Sequence, residues 1–310
     1  MSEPSVPGIQ LAPTMCAICG TFGNAAELYP PTYDAASFNE RVFSARRLPD
    51  TIHYRLVRCL ACGLVRSDPA ADQASLSELY SRSSFDYASE VPNLRRTYGR
   101  YLARAKARSR GLSLLEIGCG SGFMLEEALA QGYKEVRGVE PSRMAIEAAA
   151  PAVRAFIVPD IMKAGLFEPG RFDTVCMFQV FDHLPEPGAF LEEVREVLST
   201  GGVLLCFNHN VRSLSARILR EKSPIVDIEH CYLYGPRTMR KLLEKHGFDS
   251  IATGAATNTL SLRHLVHLVP APAGFKGRLT AAADGSWAKR AGRLRMRLPL
   301  GNLYAIARKT

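Results

Sequence analysis

The sequence predicts an α/β protein, with alternating strands and helices from about residue 112 onward and a small cysteine-bearing module before them. Three observations carry this. From Leu112, apolar runs of strand length alternate with helical stretches, the pattern of a largely parallel sheet with crossover helices. Glycines at 118, 120 and 122 join the first apolar run to a helix. Two Cys-x-x-Cys-Gly motifs stand at residues 16–20 and 59–63.

A chain of 310 residues suits one large domain with a small appendage. Four parts are expected: a Pro- and Ser-containing leader without fixed structure (1–14), a metal-binding module (15–70), a helical linker or lid (71–110) and the α/β domain (111–310). Hydrophobic residues make up 47%, enough for a buried core. No run approaches the ~18 to 20 apolar residues of a membrane span. MSEPSVPGIQLAPT has no basic start followed by an apolar stretch, so no export signal is expected and a reducing cytoplasm is the expected compartment. The net charge of +9 favours a polyanionic partner, an acidic or phosphorylated substrate, or a merely solvated face. Basic residues cluster at Arg95 to Arg110 and at Lys289 to Arg297.

The elements follow in order. A helix over 92–108 opens with Pro92 in its first turn. Leu94, Tyr98, Tyr101, Leu102 and Ala105 form its apolar stripe, and Arg95, Arg96, Arg100, Arg104 and Arg108 line the other face. Strand Ser113 to Ile117 leads to helix Phe123 to Gln131, closed by Gly132. Strand Glu135 to Val139, a helix near Arg143 to Ala149 and strand Ala155 to Val158 come next. Asp173 to Val180 is nearly continuous in apolar character, as a strand covered on both faces should be. Helix Pro187 to Leu198 buries Phe190, Leu191, Val194, Val197 and Leu198. Gly201 and Gly202 turn the chain into strand Val203 to Phe207. A helix runs from Pro236 to Gly247, with proline at its start and glycine at its stop. Phe248 to Thr253 and Leu303 to Arg308 supply two last strands, and irregular helices are expected within 255–300. There is no internal repeat.

The glycines of Leu114-Leu-Glu-Ile-Gly-Cys-Gly-Ser-Gly-Phe123 let the backbone pass close beneath a ligand, near helix-terminal N–H groups. A dinucleotide cradle has the spacing G-x-G-x-x-G; here the third position is Phe123 and Gly122 comes one residue early. Glu116, just before the loop, would repel a phosphate but suits a ligand's ammonium group, held directly or through water. Glu140 ends the next strand about twenty residues after the loop, where a carboxylate accepts from two adjacent ribose hydroxyls.

On these residues the chain resembles the class I S-adenosylmethionine-dependent methyltransferases, from about 112 to the end. The resemblance implies a Rossmann-like, seven-stranded sheet whose last strand is antiparallel, and S-adenosylmethionine as cofactor. It places Glu116, Gly118, Gly120, Gly122 and Glu140 around that cofactor. Val158-Pro-Asp160-Ile161 resembles the adenine-contacting segment, with Asp160 on the exocyclic amine and Ile161 beside it. FDTVCMFQVFDHLPEP, residues 172–187, resembles the fourth strand and the loop beside the methyl group, which puts Phe178 at the cofactor.

Methyl transfer from a sulfonium needs alignment above all, and a base is optional. Asp182 and His183 follow strand four at the carboxyl edge, where open α/β sheets bind ligands. Relatives commonly have Glu-His here, and a His where this chain has Gln179. His183 is a candidate general base; the alternative is a histidine that orients the loop. His209 ends strand five, and His230 lies in Glu229-His-Cys-Tyr-Leu-Tyr234, similar to an acceptor-facing segment of methyltransferases with a zinc module. For both, a structural hydrogen-bonding role is the competing reading. His246 and His264 read as surface or packing residues. Tyr80 and Tyr87 are candidates for a lid or for interdomain packing.

Cys16, Cys19, Cys59 and Cys62 can close one tetrahedral site, a structural zinc. The alternatives are free thiols or a redox dithiol. The segment between the pairs, residues 20–58, exceeds the ~15 to 20 residues of the common spacing, so it must loop out or add a strand near His53 to Val57. Cys176 and Cys206 read as small apolar fillers. The combination resembles a bacterial group linked to small-molecule or glycan modification. It implies methylation of a sugar, nucleotide-sugar or other metabolite, on oxygen first, with carbon and nitrogen acceptors left open. An RNA methyltransferase gripping phosphates through the arginine helix and zinc module is the second reading. A noncatalytic zinc-ribbon interaction protein is the third.

Overall fold

The computed structural model describes residues 9–34, 37–38, 42–43, 52–81, 90–261 and 295–310. The N-terminal part contains β1 (Leu11–Ala12), β2 (Ala25–Tyr29), β3 (Leu56–Cys59), β4 (Val65–Ser67) and β5 (Ala70–Ala71), then helices α1 (Gln73–Ser81) and α2 (Val91–Lys106). The α/β part runs β6 (Ser113–Ile117), α3 (Phe123–Ala130), β7 (Glu135–Val139), α4 (Arg143–Glu147), α5 (Pro151–Arg154), β8 (Ile157–Val158), β9 (Phe172–Phe178), α6 (Pro187–Val197), β10 (Leu198–His209), α7 (Leu214–Leu219), β11 (Tyr232–Leu233), α8 (Pro236–Lys245), β12 (Phe248–Ser261) and β13 (Arg295–Lys309).

The large sheet has the order β12-β13-β10-β9-β6-β7-β8. Strands β6 to β10 are parallel to their neighbours within that set, and β13 is antiparallel to both β10 and β12. This is the expected Rossmann-like sheet with an antiparallel last strand. Alternation along β10 sends Val203, Leu205 and Phe207 to one face and Leu204 and Cys206 to the other. The first face packs under α2 and α3, with Tyr98, Tyr101, Leu102 and Leu125 buried there. The second packs under α6 and α8 through Leu191, Val194, Leu242 and Leu243. Both faces are therefore covered, which is why β9 reads as an almost unbroken apolar run.

The smaller sheet joins the cysteine-bearing part to the α/β part. Its order is β11-β4-β3-β2, so Tyr232–Leu233, from the α/β part, pairs with Val65–Arg66 of the cysteine-bearing part. Tyr54 and Leu64 belong to the same apolar cluster as the α6–α8 face. Residues of the cysteine module and the sheet thus share one continuous core.

Several expectations change. Leu11–Ala12 pairs with Ala70–Ala71, so ordered backbone begins before residue 14. Residues 20–58 contribute two strands, β2 and β3, rather than one. Strand β10 starts at Leu198, with a register shift before Val203; Gly201, at φ +73°, absorbs the irregularity. In place of helices at both margins of 255–300, β12 continues to Ser261 and β13 begins at Arg295. This hairpin extension is held by polar groups of α2, as Thr257 N–H donates to the Tyr101 hydroxyl and Thr259 N–H to Thr97 Oγ1. Polar anchoring leaves little apolar periodicity in the sequence. Tyr87, His264 and Lys289 lie outside the described residues.

Tyr98 is the central packing residue beneath α2. Its ring stacks on Phe178 at 4.5 Å and meets Phe207 at 5.0 Å. Tyr98→Ala should cost about 3 kcal/mol of stability, read as a lower urea midpoint with an unchanged slope.

Candidate active site

At the carboxyl edge of β6 the glycine turn adopts the left-handed region at every glycine, with φ of +69° at Gly118, +53° at Gly120 and +70° at Gly122. A Cβ on Gly118 would lie 2.5 Å from Val180 Cγ2, so this position needs glycine for space as well as for φ. Glu140 secures the turn: its Oε2 accepts from Gly120 N–H at 2.8 Å and its Oε1 from Ser142 N–H at 2.9 Å. Each oxygen retains acceptor capacity for a further donor. Burial raises the Glu140 pKa, and the two N–H groups counter only part of that rise.

Glu116 is 3% exposed, and its Oε2 has no hydrogen-bond partner. Burial, reinforced by the Glu140 charge, pushes its carboxyl well above the ordinary range. A ligand cation would relieve that penalty. Asp160 follows β8, with Oδ1 accepting from Ile161 N–H at 2.8 Å and Oδ2 paired with Lys163 at 2.6 Å. Both Asp160 and Ile161 are half-exposed. Phe178 is buried against Tyr98 at the end of β9. The acids and glycines thus form a cradle with an orphaned buried oxygen, which fits a ligand bearing an ammonium group and a diol.

A second cluster forms where β9 and β10 end. Gln179 has φ +60°, and its N–H donates to Phe207 O. This left-handed kink and the 3-10 turn Phe181–His183 carry Asp182 back under the end of β10. There its Oδ2 accepts from His209 N–H at 3.1 Å and contacts His209 Nδ1 at 2.7 Å. The sequence neighbour His183 stands farther off, with Nε2 3.9 Å from Asp182 Oδ1. His183 Nδ1 is instead 2.9 Å from the Tyr80 hydroxyl of α1. The His230 ring packs edge-on to those of His183 and His209, at 4.9 and 4.5 Å.

Burial opposes ionisation of Asp182, yet the imidazoles of His209, His230 and His183 hold its pKa below the usual carboxylate range. Burial in turn lowers the pKa values of His183 and His230. The structure brings the sequence candidates Asp182, His183, His209, His230 and Tyr80 together. His209 as the partner of Asp182 had one sequence signal, its place at the end of a core strand. The contact of Tyr80, a lid or packing candidate, with His183 had no local signal beyond an aromatic-rich segment.

The four cysteines converge. Cys16 Sγ is 3.5 Å from Cys62 Sγ, and Cys59 Sγ is 3.8 Å from Cys19 Sγ. Sulfurs sharing one tetrahedral zinc at about 2.3 Å stand about 3.8 Å apart, so the donor set and spacing fit that ion. The knuckles are alike in backbone: Gly20 N–H donates to Cys16 O and Gly63 N–H to Cys59 O. Burial raises the Cys59 pKa, but N–H groups of Cys62 and Ala61 and the neighbouring thiols bring it down to about 6.

This module reaches the His cluster. Ser67 Oγ–H donates to His230 O, Ser67 N–H to Cys231 O, and the Tyr232 hydroxyl to Met15 O beside the first knuckle.

A glycine turn on a parallel sheet, an acid after the second strand and polar groups at the carboxyl edge form the ligand cleft of an open α/β sheet. Residues 87–253 match the methyltransferase-domain family, and the chain belongs to that family. Curated relatives include the ubiquinone biosynthesis O-methyltransferase of Cereibacter sphaeroides, 32% identical over 120 residues, which are 36% of this chain and 47% of that protein. That of Paraburkholderia xenovorans is 30% identical over 119 residues, 35% of this chain and 50% of that protein. The chain spans about half the length of these relatives. A SAM-dependent methyltransferase of solved structure from Archaeoglobus fulgidus is 20% identical, with TM-score 0.46, over 77% of this chain and 100% of that one.

Glu116 gives a pH prediction. Its folded pKa is raised, so its contribution to stability is full below the unfolded value near 4.5 and is lost as pH rises through the folded value. Glu116→Gln removes that loss. The variant should gain stability at pH 7.5 and much less at pH 4.5, measured by thermal melts of the ligand-free protein at both pH values.

Proposed function

We propose that this chain transfers a methyl group from S-adenosylmethionine to an oxygen of a small-molecule acceptor. The single observation that carries the reading is the cradle of Gly118, Gly120 and Gly122 tied to Glu140, with the orphaned Glu116 carboxyl oxygen beneath it. Glu140 takes the ribose hydroxyls and Glu116 the ammonium group. Asp160 and Ile161 border the adenine, and Phe178 backs the cofactor from the core. The bound cofactor supplies a methyl group already activated by its sulfonium charge.

The acceptor is a sugar, nucleotide-sugar or similar metabolite, acidic or phosphorylated. The name of the relatives supports an oxygen acceptor. Asp182 orients the imidazoles around it, and His183 or His230 receives its proton as the oxygen attacks. Both histidines are held neutral by burial and so are able to accept a proton. Cys16, Cys19, Cys59 and Cys62 hold a structural zinc, and residues 15–70, 71–110 and 111–310 serve as module, linker and transfer domain.

RNA gains little support. Arg95 is paired with Glu126, Arg100 donates to Thr257 O and Thr259 Oγ1, and Arg104 lies over the Tyr101 and Tyr304 rings. Those side chains are engaged within the fold. Among the described residues, no helix is long and apolar enough to cross a membrane. A cytoplasmic setting accords with the reduced cysteines the zinc site requires.

Calorimetric titration with S-adenosylmethionine and with S-adenosylhomocysteine tests the reading. Both should bind in the micromolar range, and Glu140→Ala should weaken both by about 10- to 100-fold, the cost of unpaired hydroxyl donors. No binding to folded, metal-loaded protein would end the proposal. Cys59→Ser should lose zinc, and hydrogen exchange should then quicken at β11 as well as around the knuckles, because β4 pairs with both β3 and β11. Protection of β11 unchanged in the zinc-free variant would show the two parts to be uncoupled.

A further inference from the structure

The Asp182 carboxylate is left incompletely satisfied by the contacts described so far. Its side chain is fully buried. Oδ2 is engaged twice by His209, but Oδ1 has no hydrogen-bond partner. The closest cationic candidate is His183 Nε2 at 3.9 Å, beyond hydrogen-bond reach. A buried, ionised oxygen without a partner is costly, and such groups are ordinarily paired or bound to a metal.

Three side chains are arranged to supply that metal. Asp182, His209 and His230 each offer a ligand atom, and these atoms lie within 4.8 Å of one another. Donors sharing one tetrahedral ion at 2.0–2.2 Å stand about 3.3 to 3.6 Å apart, so the widest of these spacings closes by about 1 Å, through side-chain rotation, when an ion binds. The orientation of His230 is also suited to it. Its Nδ1 is 3.0 Å from Ile225 O, and a carbonyl only accepts, so Nδ1 carries the proton and Nε2 the lone pair. A carbonyl fixing the far nitrogen is the usual outer support of a metal-bound histidine. His209 is held with equal firmness, by its backbone N–H as well as its ring.

We propose that Asp182, His209 and His230 bind one divalent ion of the nitrogen-preferring class, such as Zn²⁺, Fe²⁺ or Co²⁺, at a site separate from the four-cysteine cluster. Two imidazoles and one carboxylate favour these ions over Mg²⁺ or Ca²⁺, which prefer oxygen-only shells. His209 and His183 are 24% and 20% exposed in their side chains, so the cluster opens to solvent on their side. Three protein ligands with an accessible side make an open site, whereas four thiolates make a closed one. His183, fixed by Tyr80, borders the opening; with the His230 lone pair committed to the ion, the base role falls to His183. An ion here would hold an acceptor hydroxyl and ease loss of its proton. That use rests on the transfer reading; the binding itself does not.

The test uses the full chain, stripped with chelator under reducing conditions and reloaded with Zn²⁺ or Co²⁺. Wild type should take up two ions per chain by elemental analysis. In the Co²⁺ form, Cys59→Ser should lose the thiolate charge-transfer band in the near ultraviolet and keep one equivalent. Asp182→Asn and His230→Gln should each lose one equivalent and keep that band. If Asp182→Asn does not fold, as judged by circular dichroism, His230→Gln and His209→Gln carry the comparison. One ion per chain in folded wild type overturns the proposal, as does a second ion that survives all three cluster substitutions. S-adenosylmethionine titration of the same samples separates the two ideas: two ions without cofactor binding would leave the metal site standing and remove the transfer reading.

Discussion

The pairing of β4 with β11 is the constraint on which the rest depends. It is short, with Val65 opposite Leu233 and Arg66 opposite Tyr232, but it adds a backbone ladder between two parts that also share a core. On one side, β3 and β4 flank the second cysteine knuckle. On the other, β11 begins two residues after His230. Ser67 reinforces the junction: its hydroxyl donates to His230 O and its N–H to Cys231 O. Rigidity in the cysteine module is therefore transmitted to a histidine at the carboxyl edge of the large sheet. A structural metal would stiffen the wall of the site as well as its own loop.

Two buried carboxylates show how the site divides its chemistry. Glu116 lies under the glycine turn with no cation beside it, and burial drives its pKa up. Asp182 is equally buried, but three imidazoles surround it and drive its pKa down. The same functional group is thus biased toward the neutral form at one place and the charged form at another, by neighbours alone. The first arrangement awaits a cationic ligand group. The second provides a fixed negative charge around which histidines are ordered.

The backbone achieves the second arrangement through a local departure from regular structure. Gln179 takes a left-handed conformation, uncommon for a residue with a side chain, just where β9 leaves the sheet. Without that kink the next residues would continue away from β10 and Asp182 would not meet His209. Strain at such a place is consistent with a functional site. The packing of Tyr98 over Phe178 and Phe207 secures the ends of β9 and β10 from the opposite face.

The sequence alone determined the elements whose signals are local or periodic. The strand-glycine-helix unit at Leu114 to Phe123, the acid at Glu140, the apolar stripe of α2 and the paired cysteine knuckles all rest on short-range spacing. The seven-stranded sheet followed from the alternation of such units and from the resemblance they carried. Only the tertiary structure decided that Asp182 meets His209 rather than its neighbour His183, that Tyr80 from α1 reaches His183, and that Tyr232–Leu233 completes the cysteine module's sheet. These contacts join residues 27, 103 and more than 160 positions apart. Single polar side chains and two-residue strands leave no periodic trace. The same holds for the far end of the β12–β13 hairpin, where hydrogen bonds to α2 replace apolar burial. Local spacing fixes which groups the chain possesses, and the folding of distant segments onto one sheet edge fixes which of them act together.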